Sequence, residues 1–141
     1  MVRVTADTSV IVSGLAFPDG NPHKILNLAR AGDIELAVSD AILDEMADVL
    51  TREFDWPDSD IREARRQFCL FARQVSPVEI VTAVPNDPDD NAILECALAA
   101  ASQFVVSGDR HLLQMGTFRG IAMLKAADFL ERLAQEKGRT L

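Results

Sequence analysis

The chain has 141 residues, which is room for one domain of ordinary size and too few for a two-domain enzyme. Its 22 acidic and 14 basic side chains give a net charge of -8, which excludes coating a polyanion through bulk positive charge, so any nucleic acid contact must be local. With 48% hydrophobic and 26% charged residues it has the composition of a chain that folds on its own, and no apolar run reaches the eighteen or so residues that span a bilayer.

In chain order, short β-type runs alternate with longer helical patterns, the signature of an α/β fold with a largely parallel sheet. Val2–Ala6 is the first predicted strand, followed by a Pro/Gly turn cluster at 17–22 and a helix over Pro22–Ala31. A strand at Glu35–Val38 and a helix at Asp40–Glu53 come next. A second turn cluster at 54–58 then leads into a helix over Ser59–Arg73. The third strand is placed at Val78–Val81, a run apolar enough to be buried, before a helix over Pro88–Ala101. Strands at Phe104–Val106 and Ile121–Leu124 and a helix over Ala126–Gln135 complete a domain of residues 1–136, and a polar tail, Lys137–Leu141, closes the chain. Cys69 and Cys96 each fall in a helical pattern beside apolar neighbours and read as inert packing thiols; two cysteines make no zinc framework. The amino terminus lacks a charged segment followed by an apolar block, so the expected location is the cytoplasm.

Four acids stand out by position. Asp7 directly follows the first strand, at the carboxyl edge where open α/β sheets form ligand crevices; the same residue could instead cap a following helix. Glu45 lies at the margin of the stripe drawn by Ile42, Leu43, Met46, Val49 and Leu50, placed either to be solvated or to reach into a crevice. In Pro85-Asn86-Asp87-Pro88-Asp89-Asp90-Asn91, Asp87 reads as a helix cap and Asp89 as an acid serving the helix dipole. Asp90 differs, because it shares a face with Ile93, Leu94, Ala97, Leu98 and Ala101, and a carboxylate that opens a buried stripe needs a partner. Asp109 follows the fourth strand in the turn Ser107-Gly108-Asp109-Arg110, again at a carboxyl edge and again a potential cap; His111 reads as local packing or an exposed residue.

Right-handed crossovers bring the carboxyl edges of the first and fourth strands together. Two carboxylates about 6 Å apart repel by roughly 3 kcal/mol at an effective dielectric of 20, and the six pairs among four acids would total on the order of 15 kcal/mol, comparable with the whole stability of a small domain. Protonation or a cation must relieve this. Hard oxygen ligands without a Cys/His cluster select magnesium or manganese over zinc.

Four blocks resemble the PIN-domain family of metal-dependent ribonucleases: Thr5-Ala6-Asp7-Thr8-Ser9, Ser39-Asp40-Ala41-Ile42-Leu43-Asp44-Glu45, Asp87-Pro88-Asp89-Asp90-Asn91 with Ala97, and Ser107-Gly108-Asp109-Arg110-His111-Leu112-Leu113. The resemblance covers nearly the whole chain and is greatest to the bacterial branch of toxins from toxin–antitoxin pairs. It implies a three-layer α/β/α fold with a five-stranded parallel sheet ordered 3-2-1-4-5. It also implies an acidic quartet of Asp7, Glu45, Asp90 and Asp109 holding one or two Mg2+ or Mn2+ ions, with Thr8, Ser9, Asn91 and Ser107 beside it as substrate or supporting contacts. Family members often carry Thr where this chain has Ser107, an exchange that keeps the hydroxyl. The activity implied is hydrolysis of RNA to a 5'-phosphate and a 3'-hydroxyl. The partners implied are RNA, an antitoxin and, as in many relatives, a second copy in a homodimer. Arg62, Arg65 and Arg66, with Arg73, have spacings that permit one cationic helix face, either solvated or available to RNA.

Two other functions fit less of the pattern. A PIN-like module that binds RNA or protein without cutting would not need all four acids. A phosphoacceptor receiver domain has a lysine after its last strand, as Lys125 follows Leu124, but it also needs paired acids after the first strand and a phosphoacceptor where this chain has Thr82 and Ala83. Haloacid-dehalogenase phosphatases need Asp-x-Asp, and Asp7-Thr8-Ser9 lacks the second acid.

Overall fold

Val4, Thr5 and Ala6 are all buried although neighbouring side chains on a strand point to opposite faces, so helices must cover both sides of the first strand. The computed structural model describes residues 1–139 and shows how this is done. Its strands are β1 (Val2–Ala6), β2 (Ile34–Val38), β3 (Arg73–Gln74), β4 (Phe104–Val106), β5 (Thr117–Phe118) and β6 (Ile121–Leu124). Its helices are α1 (Thr8–Ala16), α2 (Asn21–Arg30), α3 (Asp40–Phe54), α4 (Asp58–Phe71), α5 (Pro88–Ala99), α6 (Arg110–Met115) and α7 (Ala126–Arg139). They make a three-layer α/β/α domain. The sheet order is β3-β2-β1-β4-β6-β5, parallel throughout except for the β5–β6 hairpin.

Helix α5 packs on β1, β2 and β4 and is flanked by α3, while α2 packs on β2, α7 on β4, and α2 and α7 on each other. The core between the layers includes Leu36, Leu43, Met46, Leu94, Val105 and Phe129, all fully buried. Among the described residues, no helix is long and apolar enough to cross a membrane.

The predicted strand order 3-2-1-4-5 matches once the hairpin strand β5 is added beyond it. The third strand, however, is not at Val78–Val81. It is the two-residue β3, continued by a bond from the Val75 amide to the Val38 carbonyl. Val78 and Ile80 are 97% and 85% exposed on a loop that Arg119 holds by donating to both oxygens of Glu79. Only Val81 turns inward, its amide donating to Glu95. A short, polar edge strand carries little hydrophobic signal, whereas the more apolar run beside it has the pattern of a buried strand although only Val81 in it is buried. Cys96 is buried as expected, but Cys69 is exposed on the outer side of α4 rather than packed. The first three residues of the expected tail continue α7; residues 140 and 141 lie outside the described residues.

Candidate metal centre

β1 pairs in parallel with β2 on one side and β4 on the other, with Ala6 level with Val106. The chain therefore leaves the central strand at a switch point, where connections diverge and a crevice opens at the carboxyl ends. Asp7 stands at that point, its amide donating to the Val106 carbonyl at 2.9 Å. Both readings of Asp7 hold together. Its Oδ1 accepts from the Val10 amide at 2.9 Å as the cap of α1 and from the Ser9 hydroxyl at 2.7 Å, while Oδ2 accepts from the Ser107 hydroxyl. Ser107 in turn accepts from the Asp109 amide at 2.9 Å, so one fully buried hydroxyl, itself 100 residues from Asp7 in sequence, ties Asp7 to Asp109.

The crevice has a volume of about 520 Å³ and is walled by Asp7, Thr8, Ser9, Glu45, Asp87, Asp89, Asp90, Ile93, Gly108 and Asp109. All four acids of the predicted quartet line it. They do not form one equal ring. Ligand atoms of Asp87, Asp90, Asp109 and His111 all lie within 4.8 Å of one another, whereas Asp7 and Glu45 contribute to the walls outside that tight group.

Asp90 is held there by its helix. Asp87 caps α5, its Oδ1 accepting from the Asp90 amide at 3.1 Å, and Pro88 occupies the first turn, where a missing N–H costs nothing. Three residues into this start, Asp90 faces inward, 7% exposed, and its Oδ2 is a buried oxygen without a hydrogen-bond partner. Burial and then the facing carboxylates of Asp109 and Asp87 push its pKa up to about 8, far above the usual carboxylate range. Glu45, half-buried on α3, is also raised, by burial first and then by Asp89, Asp48 and Glu53 against the opposing charge of Arg52.

Several residues take positions the sequence did not assign. Asp89 lines the crevice close enough to raise Glu45, besides standing in the first turn of α5. Asp87 is both cap and member of the tight group, and His111, read as packing or exposed, has Nδ1 3.8 Å from Asp87 Oδ2 and 3.8 Å from Asp109 Oδ1. The signal for both was spacing: Asp87 lies one helical turn before Asp90, and His111 sits in the first turn of the helix that Asp109 caps, where Asp109 Oδ1 accepts from the His111 and Leu112 amides. Asn91 points away from the crevice; its side-chain amide bonds to both the amide and the carbonyl of Val84 and clasps the turn that presents Asp87. Arg65 is paired with Asp44 at 2.8 Å and Asp40 at 3.7 Å, Arg66 makes two bonds to Glu63, and Arg73 meets Glu35, so most of the supposed cationic face is spent on neighbours. Arg62 is exposed, and none of these arginines lines the crevice.

An unpartnered buried oxygen among carboxylates, in a donor set dominated by hard oxygens, fits a divalent cation. Together, fold and site define an α/β domain with an acid-lined crevice at the switch point of a parallel sheet. The chain belongs to the PIN domain family, which matches residues 3–111 and so includes all four acids. Among solved structures it is similar in fold to the crystal structure of VapBC2 from Rickettsia felis bound to a DNA fragment from their promoter. The TM-score is 0.59 at 11% identity, over 88% of this chain and 98% of that one. No curated protein matches the chain.

Proposed function

We propose that the protein is a magnesium- or manganese-dependent endoribonuclease that hydrolyses RNA phosphodiester bonds and serves as the toxin of a toxin–antitoxin pair. The observation that carries this reading is the meeting of Asp7, Glu45, Asp90 and Asp109 in one open crevice, with a buried oxygen of Asp90 left unpartnered. Membership of the PIN domain family supports the nuclease class. The toxin role rests on the motif resemblance, with which the fold likeness to VapBC2 agrees. In this role an antitoxin segment would cover the crevice.

Asp7, Asp90 and Asp109 would hold one or two ions, and Glu45, which lines the same crevice from α3, would hold a second ion or orient the attacking water. Bound there, a divalent ion lowers the pKa of water, offsets charge on the scissile phosphate and aligns the attacking and leaving oxygens. The chain's own part is orientation. Ser107 fixes the relative positions of Asp7 and Asp109, and the Asp87 cap with the Asn91 clasp fixes the start of α5 and hence Asp90. The Ser9 hydroxyl donates to Asp7 and helps to hold its carboxylate, and the reaction we propose is direct hydrolysis by water without a covalent enzyme intermediate. Neutralising the crevice in this way would let an anionic substrate approach a chain of net charge -8.

The test is cleavage of single-stranded RNA with manganese by the wild type and by Asp7→Asn with Asp90→Asn. The expected loss is about a hundredfold or more, the scale for removing groups that stabilise transition-state charge. Activity that survives the double substitution would refute the assignment.

A further inference from the structure

We infer that Asp87 and His111 are themselves ion ligands, and that the imidazole nitrogen makes this site prefer manganese to magnesium. The inference rests on the reading of the crevice as a divalent-ion site, and it concerns two residues outside the four acids considered so far.

The geometry separates this role from simpler ones. His111 Nδ1 is 3.8 Å from both Asp87 Oδ2 and Asp109 Oδ1, too far for a hydrogen bond to either. Donors that share one octahedral ion through bonds of about 2.1 Å stand roughly 3.0 Å apart when adjacent and roughly 4.2 Å apart when opposite. The 3.8 Å separations fall between these values, and the four donors of Asp87, Asp90, Asp109 and His111 lie within 4.8 Å of one another, so a small contraction would bring all of them onto one ion. Asp87 has an oxygen to give, since Oδ1 serves the helix cap while Oδ2 is turned to the imidazole. The independent sign that a ligand belongs here is Asp90, 7% exposed, with Oδ2 unpartnered in the same group.

Three carboxylates alone would suit magnesium as well as manganese. An imidazole changes the balance, because nitrogen donors bind first-row transition ions more strongly than magnesium, which keeps to oxygen and to its own waters. The competing role for His111 is that of a protonated counter-charge that relieves the acids without binding metal.

The experiment loads the metal-free full chain with manganese chloride alone and records its pulsed electron paramagnetic resonance spectrum, with calorimetric titration of manganese and magnesium alongside. Coupling to a directly bound nitrogen is expected in the wild type and in His23→Gln, which removes the chain's other imidazole, and is expected to vanish in His111→Ala. His111 is 56% exposed and its backbone amide makes the capping bond, so the alanine variant retains the fold. It should lose at least about tenfold in manganese affinity, the effect known even for groups that merely support ligands, with magnesium affinity little changed. Asp87→Asn, which keeps the cap, should weaken both ions. Bound manganese without nitrogen coupling, or coupling that persists in His111→Ala, overturns the inference and leaves the nuclease reading standing. No manganese binding at all overturns both, whereas nitrogen coupling in a protein that cuts no RNA upholds the ligand assignment and sinks only the activity.

Discussion

Asp90 occupies a helix face otherwise given to Ile93, Leu94 and Ala97, with one oxygen lacking a partner and two other carboxylates close by. In the metal-free protein this raises its pKa from an ordinary 3.8 to about 8. The unfolded chain releases this proton near pH 4 and the folded chain holds it to about pH 8, so between these values the folded state binds more protons and stability falls as pH rises. Asp90→Asn removes the conflict, since a neutral amide can donate to the facing carboxylates. Thermal unfolding in the presence of a chelator should show the variant equal to wild type near pH 4 and increasingly more stable than wild type toward pH 8, the gap widening by up to about 1.4 kcal/mol for each unit of pH. A wild type that is as stable as the variant at pH 8 would mean that Asp90 is not under strain. The position of Asp90 on the apolar stripe made it legible from sequence, as the strand-end positions did for Asp7 and Asp109. The sequence hid that capping and lining are not alternatives: Asp7, Asp87 and Asp109 each give one oxygen to a helix start and still face the crevice or its ligand group.

The elements that carry these acids depend on close approaches that side-chain patterns do not advertise. Helix α1 was not read from the sequence because its centre, Val10-Ile11-Val12, is a consecutive β-branched run with the character of a buried strand. Burial on α1 falls on Val10, Ile11, Val12 and Gly14 in turn, so no amphipathic period exists to detect. Gly14 is where α1 meets α2: a Cβ there would lie 2.6 Å from Leu26 Cδ1 and 3.1 Å from the Pro22 carbonyl oxygen. Leu26 is fully buried and has little room to yield. Gly14→Ala should therefore destabilise the protein by about 1–3 kcal/mol, the range for overpacking, and outweigh the gain of about 1 kcal/mol in helix propensity. Urea denaturation measures the balance; a variant as stable as wild type would show that the α1–α2 contact can spread. The strand β3 was missed for the opposite reason. Two polar residues at a sheet edge are fixed by pairing with Ala37 and Val38, which is tertiary information, while the exposed Val78 and Ile80 nearby carry the stronger local β pattern.

At the scale of the whole molecule, the fold places negative charge at the switch point of its sheet in a chain that is already acidic, so the proposed ion binding should be coupled to folding. An ion that binds the folded state alone raises the melting temperature by mass action. It requires Asp90 ionised, and below pH 8 that means displacing the proton held there. Ion affinity should thus rise with pH up to about 8, by as much as about tenfold for each unit if one proton is exchanged, equivalent to about 1.4 kcal/mol. For a domain of this size that corresponds to roughly 2–6 °C in melting temperature. Saturating manganese should accordingly stabilise the protein much more at pH 8 than at pH 6, while sodium chloride at equal ionic strength, which only screens, should give a small effect at both. A manganese shift independent of pH would place the ion away from Asp90, and a sodium shift of equal size would reduce the coupling to screening of the net charge of -8. Because the metal-free protein loses stability over the same range in which it gains ion affinity, the two curves should diverge as pH rises. This divergence separates a site built around one displaced proton from a surface that merely collects cations.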